Sequence, residues 1–85
     1  MKNATYWAIG RRETGSEWVT VFGAALNQGH PNIDPGTPGH GANLYTTKDK
    51  AEAAFNALPA DSYGRTQGQV HAVTPAGLSY YRAAH

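Results

Sequence analysis

Leu44-Tyr45-Thr46-Thr47-Lys48-Asp49-Lys50-Ala51-Glu52-Ala53-Ala54-Phe55-Asn56-Ala57-Leu58 carries the one helical pattern of this chain. Ala51, Ala54, Phe55 and Leu58 fall at helical offsets from one another and line a single stripe. Thr46 or Thr47 can cap the first turn, and Asp49 follows Thr46 at the spacing of a reduced capping box. Pro59 ends the helix, because the residue before a proline is pushed out of helical geometry. Burying Phe55 and Leu58 against a sheet is worth roughly 1.5 to 3 kcal/mol each. Phe55→Ala is therefore expected to be among the most damaging single changes.

Upstream of the helix the chain reads as strands and a long loop. Thr5-Tyr6-Trp7-Ala8-Ile9-Gly10-Arg11-Arg12 has the aromatic and branched content of a strand. Glu13-Thr14-Gly15-Ser16-Glu17 is a turn whose glycine is free to take positive φ. Trp18-Val19-Thr20-Val21-Phe22 returns to complete an antiparallel hairpin, and Ala24-Ala25-Leu26 either extends it or begins a helical turn. Residues 27–43 then change character. Their density of glycine and proline forbids a helix or a central strand, and a loop of such length is usually functional or disordered.

Downstream, residues 59–68 read as a second polar loop and Gln69-Val70-His71-Ala72-Val73-Thr74 as a third strand. Pro75-Ala76-Gly77 supplies a turn into a fourth strand, Leu78-Ser79-Tyr80-Tyr81-Arg82. The order β-β-α-β-β predicts an α+β fold: an antiparallel β-sheet of three to four strands with one helix packed on one face. Residues 1–85 form a single domain with a Gly/Pro-rich loop at 27–43.

The absence of cysteine removes disulfides and thiolate metal sites as supplements to a small core. No apolar run is long enough to span a membrane, and Met1-Lys2-Asn3-Ala4 opens into a strand pattern rather than a signal peptide, so a cytoplasmic location is the expectation. Formal net charge is +1 and charged residues are 15% of the chain, well below the roughly 25% of soluble domains. That balance argues against non-specific coating of nucleic acid and against acidic mimicry of it. Partner contacts should rest on aromatic, backbone and neutral polar groups.

Strand alternation places Trp7 and Ile9 on one face of the first strand, and Val19 with Val21 on one face of the second. The expectation puts these four under the helix, leaving Tyr6, Trp18 and Phe22 on the opposite face. One helix cannot cover both faces, so the 27–43 loop, a partner chain or a second copy in a homodimer must cover the other. Arg11, Arg12, Arg65 and Arg82 can flank aromatics including Tyr6, Trp18 and Tyr81, a pairing used to stack bases and, more in keeping with the low charge, enriched at protein interfaces.

Catalysis has little to stand on. None of Ser16, Ser62 or Ser79 has a nucleophile-elbow pattern around it, Glu13 with Glu17 reads as a solvated turn pair, and His71 as a half-buried structural histidine. His30, Asp34 and His40 have the chemistry of metal ligands, but their spacing matches no closed zinc pattern. Pro38-Gly39-His40-Gly41 offers backbone amides to an anion, yet Ala42 stands where a phosphate loop requires lysine. The reading is a non-enzyme without cofactor or metal.

Three pieces carry a resemblance: Tyr6-Trp7-Ala8-Ile9-Gly10-Arg11-Arg12, the turn into Trp18-Val19-Thr20-Val21, and Leu44-Tyr45-Thr46-Thr47-Lys48-Asp49-Lys50-Ala51-Glu52-Ala53. Through them the chain resembles the small, cysteine-free β-β-α-β proteins encoded by phages and prophages, some of which are anti-CRISPR inhibitors that bind a surveillance-complex subunit or nuclease. No motif unites those inhibitors, so the resemblance assigns no residue. It implies a protein-binding inhibitor in a bacterial host, blocking a protein surface sterically or allosterically. The expected working surface combines the loop, the aromatic face and the arginines: Tyr6, Arg11, Arg12, Trp18, Phe22, His30, Asp34, His40, Tyr81 and Arg82. A single-stranded nucleic-acid module and a small-ligand binder using the 27–43 loop are the alternatives.

Overall fold

The computed structural model describes residues 5–22, 31–37, 42–75 and 81–83. They form β1 (Tyr6–Arg12), β2 (Val19–Val21), β3 (Asn32–Ile33), β4 (Asn43–Tyr45), α1 (Lys48–Ala57), α2 (Tyr63–Gln67), β5 (Gln69–Pro75) and β6 (Tyr81–Ala83). The α+β class holds, but the sheet is mixed rather than antiparallel and a second helix is present. Sheet order is β3-β4-β1-β5-β6, with β2 also paired to β1.

β1 is the hub. One edge pairs with β5 from Tyr6 to Gly10, while the other is divided between β4 at Trp7–Ala8 and β2 at Gly10–Arg12. Gly15, at φ 80°, makes the β1–β2 turn, closed by the Ser16 N–H donating to Glu13 O at 3.0 Å. β3 pairs parallel to β4 from inside the 27–43 stretch, where a short edge strand survives the glycine and proline density that excludes a central one.

Thr47 is the N-cap of α1, its hydroxyl accepting the Lys50 N–H at 3.2 Å, and the helix ends before Pro59 with Leu58 extended. Leu44 and Tyr45, read from sequence as the start of the helix, instead pair with Ala8 and Trp7 as strand. Residues 59–68, read as a loop, contain α2. Its Arg65 guanidinium donates to Asn56 O at 3.2 Å and Leu58 O at 3.4 Å, satisfying carbonyls left open at the end of α1, and lies 5.1 Å from the Phe55 ring centre.

The helix lies over Trp7 and Ile9, as expected: the Lys48 ammonium is 5.7 Å from the Trp7 ring centre, and Ile9 shares a crevice with Ala54 and Leu58. Val19 and Val21 are on the other face. Register pairs Val21 with Gly10 and Val19 with Arg12, and paired residues of an antiparallel ladder share a face, so both valines join Ala8 rather than Ile9. Across that far face β2 and β6 touch, and the curled sheet encloses Ala8, Val19, Val21, Ala42, Leu44, Val73 and Tyr81, with Tyr6 packed against them. Ala8, Leu44 and Val73 are fully withdrawn from solvent.

Candidate functional site

Among the described residues, those read from sequence as a partner surface are divided between the core, the helix side and the β1–β2 turn. Tyr81 is a core residue at 3% exposure, Tyr6 packs against that core, and Phe22 is on the helix side with its ring 5.0 Å from that of Tyr63. Trp18, at 42% exposed, remains accessible beside the β1–β2 turn, where Arg12 Nε donates to Ser16 O at 2.7 Å and Arg11 lies 3.8 Å from Glu13. Arg65, in α2, is engaged instead with the carbonyls at the end of α1. His30, His40 and the side chain of Arg82 lie outside the described residues.

Asp34 has a structural task. Its carboxylate accepts the Thr46 N–H at 2.9 Å and the Thr46 hydroxyl at 2.7 Å, and meets the Lys50 ammonium at 3.3 Å. The Thr46 hydroxyl above all, then its N–H, with Lys50 adding, hold the carboxyl below its ordinary pKa. At φ 48° it occupies the left-handed region that aspartate tolerates better than most residues. The segment is further tied by the Asp34 N–H to Leu44 O at 2.8 Å and by Asn32 Nδ2 to Asn43 Oδ1 at 3.0 Å. Among the described residues no group of three or more His, Cys, Asp or Glu side chains is placed to hold a metal ion. None of the described helices is long and apolar enough to cross a membrane.

What the structure does assemble is a crevice between α1, α2 and the sheet. It measures about 300 Å³ and is walled by Ile9, Phe22, Tyr45, Ala54, Leu58 and Tyr63. The local causes are legible. The helix turns Ala54 toward Tyr45, and an alanine opposite a ring leaves room that a larger side chain would fill. α2 approaches closely because it presents glycines to the Phe22 ring. A Cβ on Gly68 would stand 2.5 Å from Phe22 Cε2, and one on Gly64 would meet Leu58 Cδ1 at 2.9 Å.

Tyr63 stands at the mouth, 60% exposed, with its ring tilted 56° to that of Phe22. A second opening of about 440 Å³ shares Tyr45 and Ala54 with the first and runs toward Asp34 and Lys50. The first opening is apolar and bordered by Tyr63, and the second is bordered by the charged Asp34 and Lys50. Burial, aided by the charge of Asp34, raises the Tyr45 pKa, so this phenol stays protonated in neutral solution.

Sequence reading missed this site. The stripe Ala51, Ala54, Phe55, Leu58 marked the inward side of α1 but not how little of it would be filled. Ser62 before Tyr63, a residue type that starts helices, was the available signal for α2. Compared with known proteins, the chain matches no family model, no curated protein and no solved structure.

Proposed function

We propose that the chain is a non-enzymatic binding protein whose working surface is the α1–α2 crevice, into which a protein partner inserts an apolar side chain. The observation that carries this is Tyr63, a rigid aromatic left 60% exposed beside an apolar opening, the most exposed of the large hydrophobic side chains among the described residues. Exposed aromatics beside an unfilled apolar recess are the composition of interface anchors. The inhibitor of a bacterial defence complex expected from the resemblance is the finer form of this reading, with a complex subunit as the partner.

Ala54→Leu fills the crevice and Tyr63→Ala removes its rim, both without touching the far-face core. The test is capture of host proteins from nuclease-treated lysate by wild type and both variants. A stoichiometric protein retained by wild type and lost by both supports the reading, and inhibition of that protein's activity supports the finer one. Equal capture by all three overturns it. The crevice volume also lies at the lower end of small-ligand sites, which favours an apolar small molecule as the second reading. In that case an apolar ligand raises the melting temperature of wild type and not of Ala54→Leu.

A further inference from the structure

β1 outruns the strand beside it. The Phe22 N–H donates to Ile9 O, so odd-numbered residues of β1 turn their backbone groups toward β2 and even-numbered ones toward β5. β5 begins at Gln69, opposite Gly10, so the backbone of Arg12 is turned to an edge with no facing strand. Beyond it the end of α2 closes a polar cleft of about 240 Å³, whose lining includes Arg11, Arg12, Gln67, Gln69 and His71. No carboxylate lines it among the described residues.

We propose that this cleft binds a small oxyanion, a phosphate or a carboxylate, held by Arg12 and received by the amide groups of Gln67 and Gln69. Two observations support the assignment. Arg12 Nε is already committed to Ser16 O at 2.7 Å, which holds the guanidinium in place while its remaining N–H groups stay available as a fork. Burial first, and then the charge of Arg12, hold the His71 imidazole below its ordinary pKa, so the Arg12 guanidinium lies within electrostatic reach of the His71 that lines the same cleft. The chain carries only seven lysines and arginines, and two of them adjoin here.

The competing account is that the arginines only answer the open carbonyls ending α2. Titration of inorganic phosphate, acetate and chloride at constant ionic strength, followed by amide chemical shifts and by the His71 ring, separates the two. Binding gives saturable shifts confined to residues 10–12 and 67–71 and raises the pH at which His71 titrates, because the anion offsets Arg12. Arg12→Ala weakens that binding by about tenfold or more, the loss expected for a charge-assisted contact. Gln69→Ala, at an exposed position, weakens it less and covers the case in which Arg12→Ala fails to fold. Saturation by phosphate alone assigns a phosphate group, and by acetate alone a carboxylate. Shifts that rise linearly, match those of chloride or leave His71 unmoved overturn the proposal.

Discussion

On the face that carries Ala8, Leu44 and Val73 the side chains are withdrawn from solvent, whereas under α1 and α2 the apolar residues Ile9, Phe22, Ala54 and Leu58 are only partly covered. The same sheet supports both. The far face is closed by the sheet curling until β2 meets β6, so every inward side chain has apolar neighbours. The near face is roofed by one helix rich in alanine and one of five residues, too small to fill the space above Tyr45. Stability is concentrated on one face, and the room for a ligand is on the other.

The largest expected effect breaks that contrast directly. Leu44→Ala should cost about 2–5 kcal/mol, as truncations of fully buried leucines do, which is a large share of the stability of a domain this size. Leu58→Ala, on the open crevice, should cost about 1 kcal/mol, since it enlarges a space already open to water. Urea unfolding of the pair checks it. Equal losses would mean that the crevice is packed in solution. Phe55 falls on the weaker side of the comparison: half-buried beneath Arg65, it should cost less to truncate than Leu44, against the sequence expectation.

A smaller effect tests how the roof is seated. Gly68→Ala puts a methyl 2.5 Å from the Phe22 ring and 2.6 Å from Gly64 O, and the backbone partner cannot yield as a side chain tip would. The expected loss is about 1–3 kcal/mol, with α2 displaced from Phe22. Gly64→Ala should be milder, because its close neighbour is the end of the Leu58 side chain. Urea midpoints, with the amide shifts of Tyr63 as the local readout, order the two. If Gly68→Ala is silent, α2 is not held by Phe22.

Much of this was legible from residues alone, and the reasons differ from element to element. The Thr47 cap and the Pro59 stop are local chemistry, and they fix α1 to within a residue or so. β1 and β5 announced themselves by branched and aromatic content. The allocation of Val19 and Val21 to a face was not legible, because alternation says which residues share a face within a strand and only register says which face that is. Leu44 and Tyr45 were absorbed into the helix because apolar residues just before a cap satisfy either reading. The parallel pairing of β3 is accompanied by Asp34 reaching Thr46, a contact between distant residues that no window of sequence contains. The crevice was invisible for a related reason: it is a shortfall of volume among β1, β4, α1, α2 and the Phe22 ring.

Asp34 supplies the smallest and most discriminating test. Asparagine tolerates the same left-handed φ and keeps an acceptor for the Thr46 N–H, so Asp34→Asn removes little beyond the charge facing Lys50 and the strength of the hydroxyl contact. The folded-state pKa of Asp34 is lowered, so the fold favours the ionised form. That stabilisation is fully present above the unfolded carboxyl value and is lost as pH falls through the lower folded value. Wild type should therefore melt slightly above Asp34→Asn at neutral pH, and the gap should close in acid once the pH lies below the folded value, and narrow with added salt, since the groups are exposed. A gap that persists in acid would show that Asp34 acts through backbone conformation instead. Either way the effect should stay below that of Leu44→Ala, because Asp34 braces the rim of the open face and the far-face core does not depend on it.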